Sequence, residues 1–299
     1  MDDGARCTFG DGKTMNSTSD IYKFRARSII TLTAASFISL AGFLWPFFID
    51  AQSPARNLNS QIFYWVAVPV ALAVLIVEIS NSRLDAKSVA LLGVLTALTA
   101  ALRPMGAGAI GIEPMWFILI LAARVFGPAF GFVLGILALF FSAFLTGGFG
   151  PWLAYQMFAA GWIGLGAGAL PQRIGKIALR GKSELALLLI YGCFAALLFG
   201  LLMDLQFWPW AVGSQTQFSY LSGAAISENF HRFIIFHFAS SMAWDIPRAI
   251  FTFILIFTTG PAILSALRRT RRRASFLTAI EFLSVAELPN ARAKAEKEV

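Results

Sequence analysis

Between Lys87 and Gly260 the chain is written as six long apolar blocks that hold almost no charge, separated by short polar intervals. Two further blocks precede them. A helix needs about 20 predominantly apolar residues to cross a bilayer, and the blocks lie near 28–49, 62–80, 87–103, 113–124, 128–146, 152–170, 184–203 and 232–260. They predict an all-α integral membrane protein of about eight transmembrane helices. The fourth block is the weakest, because Pro114 and Arg124 close it in at both ends. It is expected to tilt, to recruit the Gly-rich stretch before it, or to stop short of a full crossing.

Composition agrees with the pattern: 58% of residues are hydrophobic and 13% charged, more apolar than ordinary soluble domains. Charge placement then sets a topology, since cytoplasmic loops near spans are rich in Lys and Arg. With the N-terminus inside, the cytoplasmic set is Arg6, Lys13, Lys23, Arg25, Arg27, Arg83, Lys87, Arg124, Arg173, Lys176, Arg180, Lys182 and every basic residue from Arg268 onward. Only Arg56, Arg103 and Arg232 fall outside, and Arg248 lies within a span. An even number of spans follows, with both termini cytoplasmic and the protein multi-pass in the cell membrane. The net charge of +8 is then mostly topology. The run Arg268 to Arg273 reads as a stop-transfer cluster that also has the chemistry to touch anionic lipid, and nucleic-acid binding is not needed to explain it.

The expected organisation is a polar, disordered tail at 1–27, two additional spans at 28–86, a six-helix body at 87–262 and a basic cytoplasmic tail at 263–299. Lys23, Arg25 and Arg27 before an apolar run resemble the start of a signal peptide. The run is long, and bulky Trp45, Phe47 and Phe48 crowd any cleavage point, so it reads as a retained anchor; Met15 is an alternative start. Cys7 and Cys193 offer no disulfide framework. Gly106, Gly108 and Gly111 follow no strand and precede no Gly-Lys-Ser/Thr, so they do not cradle a nucleotide phosphate. His231 and His237 lack metal-ligand spacing, and no Gly-x-Ser-x-Gly occurs. No catalytic residue, metal site or cofactor is expected, and the chain reads as a binding subunit rather than an enzyme.

Three features carry positive signal. Ala97 and Ala101 share one face of the third span, where small residues four apart let another backbone approach; internal packing and partner docking both fit. Gly131 with Gly135, and Gly164, Gly166 and Gly168, read as internal packing. On the expected outer face stand Arg103, Pro104, Glu113, Trp116, Pro151, Trp152, Tyr155, Gln156, Asp204, Gln206, Trp208, Pro209 and Trp210. Interfacial Trp belts explain single aromatics, whereas the clustering over three loops points to a pocket open to the outside, with Asp204 to Arg232 as a lid. The last span holds His237, Trp244, Asp245, Pro247 and Arg248, costly at membrane depth unless paired or functional. Asp245 and Arg248, three apart, can pair along one face, as a structural lock or as ligand contacts.

These residues give the chain a resemblance to the S component, the substrate-binding membrane subunit, of energy-coupling factor (ECF) type ABC transporters. The resemblance covers about 87–262. Ala97 and Ala101 match the family's Ala-x-x-x-Ala motif in the expected helix. The stretch Gly147-Gly148-Phe149-Gly150-Pro151-Trp152-Leu153-Ala154-Tyr155-Gln156-Met157, the run Gly161 to Pro171, and Met203-Asp204-Leu205-Gln206-Phe207-Trp208-Pro209 are similar to larger members of that group. The resemblance implies that Ala97 and Ala101 dock on a transmembrane coupling (T) protein, which works with two cytoplasmic ABC ATPases. It implies a vitamin-like small molecule, with a cobalamin-type corrinoid as first guess. The ligand would bind near the outer surface, gated by the loops at Arg103 to Glu113 and Asp204 to Arg232. The two N-terminal spans depart from the six-helix pattern. Alternatives are a stand-alone ion- or proton-coupled carrier and a membrane protein that serves assembly without a ligand.

Overall fold

A computed structural model describes residues 26–48, 86–106, 111–175, 177–211 and 216–275. Residues 1–25 and 276–299 of the expected tails and the expected second span at 62–80 lie outside the described residues, whereas 263–275, expected as the start of the C-terminal tail, continue the last helix. The helices are α1 (Ala26–Leu44), α2 (Ala86–Leu102), α3 (Met115–Phe126), α4 (Pro128–Thr146), α5 (Trp152–Ala169), α6 (Lys182–Ala211), α7 (Ile226–Ser240) and α8 (Met242–Ser275). A two-residue hairpin pairs Arg173 with Ala178 and Ile174 with Ile177 between α5 and α6. The described residues are mostly helical. Among the described residues, four segments are long and apolar enough to cross a membrane: Lys87–Gly106, Pro128–Thr146, Lys182–Pro209 and Met242–Arg272. Ser36–Phe47 and Met115–Phe126 are shorter apolar helices, and α5 has 18 residues that include four glycines.

The bundle is built around α3. All 12 of its residues are buried, and it packs against α2, α4, α5, α6 and α8. At 1.5 Å per residue it is only about 18 Å long, too short to span; enclosed by other helices, it needs no full crossing. Its end is sharp because Gly127, at φ 103°, takes a conformation open only to glycine, and Pro128 then starts α4.

Helices α4 and α5 form the closest pair. A Cβ on Gly131 would strike the Gly164 carbonyl, one on Gly164 would strike Gly131, and one on Gly135 would strike the Ala160 carbonyl. The expected internal packing of Gly131, Gly135 and Gly164 is therefore what brings these backbones together, and Gly168 does the same against Gly127 and Pro128. Gly166 faces the Tyr191 hydroxyl of α6. By contrast, Ala97 and Ala101 are exposed on α2, in line with exposed Gly93, around which a Cβ would meet nothing within 4 Å. Internal packing is excluded for that pair among the described residues.

Two expectations about boundaries need correction. Helix α6 runs to Ala211 rather than ending near 203, so Asp204, Gln206 and Trp208 are helical and the 204–232 lid is shorter than supposed. Leu205 and Trp208 continue the buried face of α6, which holds the helix through its polar residues. The last segment starts at Ile226, before the expected 232, and is divided at Ser241. His237 thus lies on α7, whereas Trp244, Asp245 and Arg248 lie in the first turns of α8.

Contacts fix two ends to the bundle. Arg103 meets Ser142 and Gln156, and Glu113 meets Arg248, at one end. Arg124 meets Leu170 and Glu184, and Arg271 meets Val125, at the other. The second end also carries Arg173, Arg180, Lys182, Arg268, Arg269 and Arg272 and is here called the basic end.

Candidate functional site

The end opposite the basic one gathers most of the polar residues singled out above. Its centre is Arg248. Residues three apart on a helix share a face, so Nη1 of Arg248 reaches Asp245 Oδ1 at 2.6 Å. The guanidinium also donates through Nε to Glu113 Oε2 at 2.9 Å, and Nη1 contacts the Ala196 carbonyl at 3.4 Å. Glu113 accepts a second bond from Trp116 Nε1 at 2.7 Å. Ser241 Oγ donates to Asp245 Oδ2 at 2.6 Å. The guanidinium carbon sits 5.2 Å from the centre of the Phe199 ring, a cation–π distance, and Phe199 packs on Trp116 at 4.4 Å.

This arrangement depends on two glycines. A Cβ on Gly200 would fall within the Asp245 carboxylate, so α6 must be bare there for Asp245 to enter. Gly111, at φ 70°, lies against the Trp244 carbonyl and the Arg248 amide; its left-handed backbone and missing side chain let the loop bring Glu113 to α8. Asp245 has no exposed surface and Arg248 is 7% exposed. Glu113 is the open side, with 27% of its side chain accessible. One cation between two carboxylates leaves a formal charge of −1 there.

Arg103, at the end of α2, donates from Nη1 to Ser142 Oγ and from Nη2 to Gln156 Oε1, both at 2.9 Å. These partners are neutral, and among the described residues Arg103 forms no ion pair. A third group joins Asp204 and His237, whose Oδ2 and Nδ1 lie 2.8 Å apart. Phe233 stacks on the imidazole, and buried Trp208 packs against Phe233 at 5.5 Å and Tyr220 at 5.4 Å. Trp208 Nε1 donates to the Phe218 carbonyl at 2.6 Å, tying the shortened lid to α6.

The end of helix α1 and the 3-10 turn Trp45–Phe47 that follows it complete the aromatic wall, a contact that no local pattern in the sequence signals. Phe47 lies 6.0 Å from Trp208, Trp45 lies 6.1 Å from Tyr220, and Phe43 meets Tyr155 edge-on at 4.8 Å. The Tyr155 hydroxyl reaches the Gly42 carbonyl at 3.3 Å. Not every expected site residue joins in. Trp152 is 44% and Trp244 51% exposed, as suits tryptophans of a membrane interface. Gln206 is buried on α6.

A second polar cluster lies at the basic end. Glu184 accepts from Arg124 Nε at 2.9 Å and from Arg268 Nη2 at 2.6 Å, while Arg124 also caps the Leu170 carbonyl at 2.6 Å. Its members are 60 and 84 residues apart, and no local spacing reveals them. Among the described residues no three His, Cys, Asp or Glu side chains come together as a metal site. Comparison with protein-family models, curated proteins and solved structures finds no match to this chain.

Proposed function

We propose that this chain is the substrate-specific binding subunit of an ECF-type ABC importer. The observation that carries the reading is the outward placement of Ala97 and Ala101 on α2, with Gly93 extending the same small-residue line by one turn. Such a face suits close docking of another helix in lipid. In this reading the basic end is cytoplasmic and the T protein and two ATPases supply the energy. The Arg103, Glu113–Arg248 and Asp204–His237 groups face outward and bind a vitamin or related micronutrient against the aromatic wall. Arg103, held by neutral partners, provides a cation for an acidic substituent. A cobalamin-type corrinoid remains the first candidate.

The test is native mass spectrometry of the protein gently extracted from its own host membrane. The expected result is a retained vitamin-sized mass together with a coupling protein and two ATPases. Ala101→Trp should remove the protein partners and leave the small molecule bound. A bare chain across several detergents would overturn the proposal. A stand-alone ion- or proton-coupled carrier is the second reading, favoured by the buried Glu113–Arg248–Asp245 group. It requires ATP-independent uptake that fails in Asp245→Asn.

A further inference from the structure

Arg103 and Glu113 stand at the two ends of the loop that joins α2 to α3, and the loop is pinched between them. A Cβ on Gly106 would strike the Ile112 carbonyl, so the segments that leave Arg103 and lead into Glu113 lie against each other. Each charged group is fastened to a different part of the bundle: Arg103 to α4 and α5 through Ser142 and Gln156, Glu113 to α3 and α8 through Trp116 and Arg248. Held in this way the two form no ion pair, although Arg103 lies within electrostatic reach of Glu113. Each also keeps a free atom. Trp116 and Arg248 both donate to Oε2 of Glu113, which leaves Oε1 without a hydrogen bond among the described residues. Arg103 donates through Nη1 and Nη2, which leaves Nε. Neither side chain is sealed, since Glu113 keeps 27% of its surface and Arg103 is half-buried. Arg103 has neutral partners only, and Arg248 is shared between Glu113 and Asp245. One positive and one negative charge therefore stand uncompensated at the ends of the same loop, and Ala107, Gly108, Ala109 and Ile110 within it carry no charge that could cancel either.

We propose that Arg103 and Glu113 together bind a small zwitterion, with its carboxylate on the Arg103 guanidinium and its ammonium group on Glu113 Oε1. Charges withdrawn from water need partners of opposite sign. A simple ion would cancel one of the two and leave the other, whereas a zwitterion answers both. Hydrogen bonds between charged groups are also the stronger kind, and two of opposite polarity at opposite ends of a ligand fix its orientation as well as its affinity. This inference rests on the binding-subunit reading for the location of the site and is stricter than it. A ligand bearing only one of the two charges would suit that reading and fail this one, and a corrinoid would have to present both.

The experiment is native mass spectrometry of the full chain extracted from its host membrane, followed by chemical tagging of the small molecule it releases. The expected molecule gains mass both on methyl esterification, which reports a carboxyl group, and on reductive methylation, which reports an amine. A molecule that takes one tag only, or neither, would overturn the zwitterion and leave the binding-subunit reading standing. A zwitterion on a chain that carries no coupling protein or ATPases would do the reverse. Release of no small molecule would overturn the site, and the partners in the same spectrum would then judge the subunit reading. Two variants separate recognition from packing. Glu113→Gln leaves Arg248 balanced by Asp245, and Arg103→Gln leaves only neutral partners behind, so neither strands a buried charge. Each should bind the released molecule about 10- to 100-fold more weakly than the wild type does. Esterifying the molecule should weaken its binding to the wild type by the same factor and cost Arg103→Gln nothing further; acetylating its amine should do the same with Glu113→Gln. A blocked molecule that binds the wild type as well as the free one, or that loses as much on the matching variant as on the wild type, would overturn the proposal.

Discussion

Arg248 sits between Asp245 and Glu113 in a site where one of the two acids is wholly buried, so the guanidinium cannot be removed without stranding a charge. Breaking a buried pair from one side costs about 3–5 kcal/mol. Arg248→Met should lower stability by that order, read from denaturation of the purified protein in detergent. Asp245→Asn should cost less, about 1–2 kcal/mol, because the amide oxygen still accepts from Arg248 while its NH2 turns to the Ser241 hydroxyl oxygen, which can accept. Equal effects of the two would mean that the buried charge is not what the site must neutralise. Gly200→Ala should act through the same group, because its methyl occupies the Asp245 carboxylate position; overpacking of this kind costs about 1–3 kcal/mol. The Asp245–Arg248 pair was legible from a three-residue spacing. Glu113 was not, since it stands 135 residues from Arg248, and Gly200 was not, since one glycine in an apolar helix gives no sign of which neighbour it admits.

Helices show the same division between local and distant information. Apolar blocks and Gly-Pro punctuation give the positions of α2, α4 and α5 closely; the Gly131 and Gly164 lines indicate internal packing, and only the fold shows that they pack on each other in the α4–α5 contact. What the pattern misplaces is the outer portion of α6 and the division of the last segment at Ser241. Asp204, Gln206 and Pro209 look like loop residues when hydropathy alone is read, yet Leu205 and Trp208 keep a buried face through them. Tertiary packing there overrides local polarity. Ala97 and Ala101 have the same spacing of small residues as the α4–α5 lines but the opposite surroundings, a distinction no single sequence contains. Substitution separates the two cases. Gly164→Leu should break the α4–α5 contact and cost about 3 kcal/mol or more, whereas Ala101→Leu, pointing outward, should leave the unfolding midpoint unchanged. A matching loss of stability in Ala101→Leu would place that face inside the fold and remove the main support for docking.

At the scale of the molecule, the chain separates its charges by end. Arg124, Arg268, Arg269, Arg271 and Arg272 gather with the Arg173 hairpin at one end, and Arg103, Glu113, Asp204 and His237 at the other. The gathering of Arg173, Arg180, Lys182 and the Arg268 cluster was legible because the apolar block of α6 and that of α8 separate them from the opposite end. The closing of the aromatic wall by the turn Trp45–Phe47 after α1 was not, since Phe47 and Trp208 meet only through the fold. Charge bias predicts that the basic end is cytoplasmic, and the arrangement offers a direct check. Gln172 beside the hairpin and Gln217 in the turn after α6 are both exposed and lie at opposite ends of α6. In a chain carrying Cys7→Ser and Cys193→Ser, a membrane-impermeant maleimide should label Gln217→Cys in intact cells and Gln172→Cys only after permeabilisation. The two sites are separated by the single traverse of α6, so the result does not depend on how many spans precede it. The reverse labelling would turn the Arg103 and Arg248 groups toward the cytoplasm. An importer must capture its ligand outside, so that outcome would remove the uptake reading while leaving the fold and the buried pairs intact.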